Sequence, residues 1–286
     1  MSEMIKCAVL DKEFATKEEM FADLIANKDK ILSLKSATVK ESESFGDYNQ
    51  ELLMKFIDEN EAIKNELNLE SGYYYPVINT TNFMDSHKDV HLDGIWDKSK
   101  NEQKGKIFYV TDHELRIKSV IAFPKDVEIL TLSVPWKALG LDKDGETQAL
   151  IYKIAENSVV HESAKMILRD KIDIQNSVRM QYVKIDMAIN SNEKGFEKEK
   201  ALWDSTIDKI VNREDAEKDG YFFPVSEAKI MKEGSMVLFG SNSVTPVLHA
   251  SEPEKSTHDT ETQFEESEEV KRSDEYLYEF LNNIKI

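Results

Sequence analysis

Between residues 73 and 248 the chain is punctuated by short β-type runs, at 73–81, 106–110, 119–123, 128–132, 148–154, 177–189, 222–230 and 235–239. Helical periods interrupt them only at 161–171 and at 196–212, where Trp203, Ile207, Ile210 and Val211 share a face. Strict alternation of strand and helix would signal βαβ crossovers and a parallel sheet. Many strands with few, separate helices instead signal an α+β or mostly β domain. No glycine-rich phosphate loop, dinucleotide fingerprint or internal repeat accompanies the pattern, which removes the common nucleotide-binding readings.

Residues 1–70 read as a separate α/β layer. Residues 4–10 suit a strand, and Thr16-Lys17-Glu18-Glu19 is a capping box ahead of Met20, Phe21, Leu24 and Ile25 on one helical face. The short apolar run at 31–34 suggests a second strand, and 47–60 a polar helix. The β-rich domain then occupies 71–250. Beyond it, 251–272 carries Glu252, Glu254, Asp259, Glu261, Glu265, Glu266, Glu268 and Glu269 against Lys255, Lys271 and Arg272. Only Phe264 and Val270 there offer apolar surface to offset the entropy of ordering, so the stretch reads as a disordered acidic linker. Tyr276, Leu277, Phe280, Leu281 and Ile284 follow at the spacing of a short amphipathic helix over 273–286. Isolated, so short a helix is marginal and should dock on its own domain or on a partner.

The formal net charge of −18 argues against nucleic acid as a partner, because phosphate binding needs a basic surface. It equally argues against anionic membrane surfaces. No apolar run reaches the length of a spanning helix. The opening residues lack a basic stretch followed by an apolar one, so the expectation is a chain with no secretion signal. The single cysteine, Cys7, excludes an intramolecular disulfide framework and a thiolate zinc cluster.

Four segments hold side chains that can carry chemistry. In Asp85-Ser86-His87-Lys88-Asp89-Val90-His91, an extended backbone would line Asp85, His87, Asp89 and His91 along one face as a comb for a divalent metal. The competing reading, which the loop chemistry of these residue types favours, is a solvated turn. His113, in Thr111-Asp112-His113-Glu114, stands at the end of a β-run, where a rigid element would hold a general base. Ser177 begins a strand in which Val178, Met180 and Tyr182 alternate with polar Arg179 and Gln181. The apolar phase then shifts to Val183, Ile185, Met187 and Ile189, as a bulge or a change of facing sheet would require. Glu233 precedes the apolar run Met236-Val237-Leu238-Phe239, which a Gly240-Ser241-Asn242-Ser243 turn must leave sharply.

In this order the segments resemble the prohead (capsid maturation) proteases of tailed bacteriophages, relatives of the herpesvirus assemblins. Three stretches between residues 73 and 248 carry the resemblance. The first runs from Asn82 through Asp89-Val90-His91-Leu92-Asp93-Gly94 to Ser99. The second, Asn176-Ser177-Val178-Arg179-Met180, is similar to the family's serine motif. The third, Glu233-Gly234-Ser235-Met236-Val237-Leu238-Phe239-Gly240-Ser241-Asn242-Ser243-Val244-Thr245-Pro246, is similar to its E-x-S-x-V-x-F-G-x-N-x-x-T-P signature.

The resemblance implies an α+β fold with a mostly antiparallel, barrel-like core and a few flanking helices. It implies a serine endopeptidase with Ser177 as nucleophile, His113 as base and Glu233 as the acid that orients the histidine. Arg179 stands where the family pattern has glycine, and is a candidate for holding the oxyanion or for narrowing substrate choice. No cofactor or metal is implied. The implied substrates are the scaffold, the major capsid protein and the protease itself, inside a procapsid in the host bacterial cytoplasm. Homodimerisation, which assemblin-like enzymes often need, is left open. The rivals from other classes are a metal-dependent hydrolase built on Asp85, His87, Asp89 and His91, and a non-enzymatic assembly or scaffold protein.

Overall fold

The computed structural model describes residues 4–39 and 67–250, within the first of the two units into which the chain divides, Met1–Ser251 and Glu252–Ile286. The helix expected at 47–60, the acidic linker at 251–272 and the helix at 273–286 lie outside the described residues.

The N-terminal part begins with the hairpin β1 (Ile5–Cys7) and β2 (Lys12–Phe14). Helix α1 (Lys17–Ala26) is capped by Thr16, whose Oγ1 accepts from Glu19 N at 3.2 Å, while the Glu19 carboxylate reaches one residue past the N-cap to accept from Ala15 N at 3.2 Å. The run at 31–34, expected as a strand, lies inside helix α2 (Lys28–Ala37). A four-residue apolar run does not distinguish the two periods. Burial decides it, because Ile31 and Lys35, one helical turn apart, point inward while Leu34 stays exposed. The two helices do not form a core alone. Met20, Phe21, Leu24 and Ile31 pack with Met187, Ile189, Tyr221 and Phe223 from the β-rich part.

That part contains β3 (Tyr73–Thr80), β4 (Asp89–His91), α3 (Asp97–Gln103), β5 (Phe108–Thr111) and β6 (Val120–Ala122). Next come β7 (Glu128–Pro135), β8 (Glu146–Ala155), α4 (Glu162–Arg169), β9 (Gln175–Ile185) and β10 (Ala188–Ile189). The last elements are α5 (Glu197–Thr206), α6 (Arg213–Asp219), β11 (Tyr221–Val237) and β12 (Val247–His249). The helix expected over 196–212 is therefore α5 alone. A 3-10 turn, Ile207–Lys209, ends it, and α6 follows as a separate helix. The runs at 222–230 and 235–239 fall on one strand of 17 residues, β11, continuous through an irregularity between Ile230 and Gly234, but it ends at Val237 and leaves Leu238 and Phe239 exposed.

The fold is α+β. Strand β11 organises a mixed six-stranded sheet: β9 and β10 pair with it antiparallel, β4 and β5 parallel, and β6 follows on β5. A second, antiparallel sheet has the order β12-β3-β8-β7. The barrel-like closure expected from the resemblance is not what the described residues form. Both sheets are open, and β6 does not pair with the four-stranded sheet. The sheets instead share a core in which Ile78, Leu150, Tyr152 and Ile154 meet Tyr109, Ile121, Val178, Met180 and Met236. The alternate residues Tyr75, Val77, Ala149 and Ile151 face a second apolar cluster with Val134 and Trp136. Burial on both faces explains why β3 and β8 read as near-continuous apolar runs. The phase shift read after Tyr182 also has its counterpart. Pairing slips between Val225 and Glu227 and again between Glu227 and Ala228, opposite Tyr182–Ile185. Among the described residues no helix is long and apolar enough to cross a membrane.

Candidate active site

The C-terminal end of β11 lies between β9 and β5, and it gathers the candidate residues. Ser235 pairs with Ser177 of β9 on one side and with Val110 of β5 on the other. Directly opposed residues on adjacent strands project to the same face, with Cβ atoms about 4.5–5.5 Å apart. Glu233, two residues before Ser235, shares that face by strand periodicity. His113 reaches it from the end of β5 through two successive residues in the left-handed region, Asp112 (φ 50°) and His113 (φ 55°). Neither is glycine, so the turn is locally strained and something must hold it. Two hydrogen bonds to β11 do so: Asp112 N donates to Met236 O at 3.0 Å, and His113 N donates to Ser235 Oγ at 3.0 Å.

The imidazole then meets the glutamate. His113 Nδ1 lies 2.7 Å from Glu233 Oε1, and the other carboxylate oxygen, Oε2, accepts from Ser235 Oγ at 2.8 Å. Glu233 and Ser235 have no exposed surface, and the His113 side chain is 6 % exposed. A carboxylate acts only as an acceptor, so the proton between this pair sits on Nδ1, and in the neutral imidazole Nε2 carries the lone pair. Nε2 is buried and makes no hydrogen bond in this structure. Ser177, also buried, shares the same sheet face without a hydrogen bond to that nitrogen.

The sequence-nominated Ser177, His113 and Glu233 thus come to one face of one sheet. Arg179 is half-buried, two residues along β9 from Ser177, on a stretch whose irregularity belongs to β11, so both residues project to the same face. Ser235 was not among the residues singled out from the sequence. Its spacing of two from Glu233 on a strand is the signal that marks it. A second feature left no signal: between Ile230 and Gly234, β11 carries more residues than β9 opposite, and Lys232 takes φ 72°. That irregularity sets the register in which Ser235 meets Ser177.

The opposite face of the same strand is core. A Cβ on Gly234 would lie 2.6 Å from the Tyr152 ring and 2.9 Å from its hydroxyl. Burial, and next the nearby Glu233, push the Tyr152 phenol well above its usual pKa. Glycine is required here for close approach of the second sheet. Gly234→Ala is expected to cost about 1–3 kcal/mol through overpacking, read as a lowered denaturant midpoint with an unchanged m-value.

The other nominated cluster does not form the metal comb. Lys88 N donates to Asp85 O at 3.0 Å and Lys88 takes φ 63°, so a turn breaks the extended backbone and leaves His87 exposed. The solvated-turn reading also needs correction, because Asp85, Asp89 and His91 are buried. Asp85 Oδ1 accepts from His87 N at 2.8 Å and from Asp89 N at 2.9 Å. Asp89 pairs with Lys35 of α2 and accepts from Tyr182 OH at 2.8 Å. With its proton committed to Asp89, the Tyr182 oxygen accepts from His91 Nε2 (3.1 Å). His91 Nδ1 then accepts from Asn79 Nδ2 (2.9 Å), whose Oδ1 accepts from Trp96 Nε1 (3.2 Å). Asp89 and His91 are engaged within this chain, and among the described residues no three His, Cys, Asp or Glu side chains are placed to hold a metal ion.

In comparison with known proteins, the chain matches no family model, no curated protein and no solved structure.

Proposed function

We propose that the chain is a serine endopeptidase of the Ser-His-acid type that acts in the maturation of a tailed-phage procapsid. One observation carries the enzymatic part. A buried His113–Glu233 pair leaves Nε2 as a lone pair on the sheet face that holds Ser177. The Ser177 hydroxyl gives its proton to His113 Nε2 as Oγ attacks the peptide carbonyl, and Glu233 stabilises the imidazolium. Collapse of the tetrahedral intermediate breaks the C–N bond, and the proton passes from Nε2 to the leaving amine. Water, deprotonated by the same nitrogen, then releases the acyl group and restores Ser177.

The capsid part rests on the three motif segments between residues 73 and 248. Its substrates are the scaffold, the major capsid protein and the chain itself, cut inside the procapsid in the host cytoplasm. The net charge of −18 suits an enzyme with no use for the genome, since it disfavours nucleic acid as it does anionic membrane. No cofactor is called for, and a homodimer is compatible with the proposal without being required.

The test is co-expression of the full chain with its scaffold and capsid proteins, beside Ser177→Ala and His113→Ala. Processing by the wild type and neither variant is expected on a gel. A Ser177→Ala chain that processes like the wild type would leave the non-enzymatic assembly role as the better reading.

Arg179 is given the oxyanion. Removing one such donor costs about 10²–10³ in turnover, so Arg179→Gly is expected to lower kcat by that order with little change in KM. Unchanged kcat would remove Arg179 from the oxyanion and leave it substrate selection.

A further inference from the structure

Two serines face each other across β9 and β11, and their surroundings divide the work between them. Ser235 Oγ has one proton and spends it on Glu233 Oε2 at 2.8 Å, while a lone pair receives the His113 main-chain N–H at 3.0 Å. With no exposed surface and its hydrogen bonds made inward, Ser235 is poorly placed to attack a substrate. These bonds close a ring: His113 imidazole to Glu233, Glu233 to Ser235, Ser235 back to the His113 main chain. One hydroxyl therefore fixes both the carboxylate that orients the imidazole and the strained backbone that carries it.

We propose that Ser235 is a positioning residue for the reaction, holding Glu233 and the left-handed turn at His113 so that Nε2 is presented to Ser177. This rests on the serine-hydrolase reading of the same site. Beyond geometry, the hydroxyl takes part of the Glu233 charge. Without it the full carboxylate charge falls on the imidazole, which the pH dependence of the reaction reads.

The test uses the full chain and a fluorophosphonate probe, which phosphonylates an activated serine Oγ with release of fluoride. The labelling rate is followed against pH for wild type, Ser235→Ala, Ser235→Cys and Ser235→Thr, with circular dichroism to confirm folding. Loss of a hydrogen bond to a charged group predicts a rate lower by about ten- to hundredfold in the Ala variant. The acid limb of the profile should move to higher pH, and Thr, which keeps the hydroxyl, should restore both. The Cys variant keeps the volume with a weaker donor, so it carries the same test where Ala fails to fold. A folded Ala or Cys variant with the wild-type rate and acid limb would overturn the proposal while leaving the active site intact. A wild type that is not labelled, or is labelled elsewhere than Ser177, would instead strike the hydrolase reading itself.

Discussion

Glu233→Gln is expected to lower turnover by about four orders of magnitude, as loss of the orienting acid does in other Ser-His-acid enzymes, with the fold retained. The reason lies in which way the new amide must face. Facing its oxygen toward His113 would preserve the working tautomer, but would turn the amide N–H₂ toward Ser235. The Ser235 oxygen already receives the His113 N–H, and its own buried proton would lose its acceptor. An unsatisfied buried donor costs about 1–3 kcal/mol. The amide should therefore face the other way, donating to Nδ1 and forcing the imidazole proton onto Nε2, where it cannot accept from Ser177. This yields a second, less obvious expectation. Adding Ser235→Ala to Glu233→Gln removes the hydroxyl that dictates the orientation, so the double variant should recover part of the lost rate. If the double variant is no faster than Glu233→Gln alone, Ser235 does not choose the orientation.

Much of this site is legible in the sequence, for identifiable reasons. Ser177, His113 and Glu233 stand at ends of apolar runs or ahead of one, and strand ends are readable from hydrophobic pattern. What the pattern could not show is how residues far apart in sequence meet. The register pairing Ser177 with Ser235 depends on the irregularity between Ile230 and Gly234, and Lys232 carries no special residue type to announce its positive φ. The same limit produced the error at 31–34, where local apolarity favoured a strand and packing of Ile31 and Lys35 made a helix. It also produced the misreading of Asp85, Asp89 and His91. Their polar types suggested water, yet β4 pairs with the buried strand β11 and the polar groups are satisfied internally. The expected barrel failed for a related reason. Strand count follows from periodicity, but whether a sheet closes depends on edge pairing that side-chain pattern does not encode.

Asp85→Asn is expected to flatten the pH dependence of stability between about pH 4 and pH 7 and to make the protein more stable than wild type at neutral pH. Burial, and next the charge of Asp89, push the Asp85 carboxyl from 3.8 up to about 7. In the unfolded chain the group ionises near its ordinary value, while in the folded chain it keeps its proton. Between those values the folded state binds more protons than the unfolded state, so this residue makes stability fall as pH rises, by about 1.4 kcal/mol per pH unit at most. Below about pH 4 both states are protonated and the contribution vanishes; above about pH 7 it levels off at its full unfavourable size. Asparagine keeps the side-chain oxygen that accepts from His87 N and Asp89 N, so the turn into β4 survives while the titration is lost. Chemical denaturation of both proteins at a series of pH values reads the difference directly. A difference that stays constant from pH 4 to pH 7 would show that Asp85 ionises normally in the folded chain. The buried chain from Lys35 through Asp89 to Trp96 would then tolerate the charge. The chosen substitution also bears on the proposed chemistry. Asp89 accepts from Tyr182, which alternation along β9 puts on the opposite face from Ser177, so neutralising Asp85 should change stability while leaving the fluorophosphonate labelling rate of Ser177 as it was.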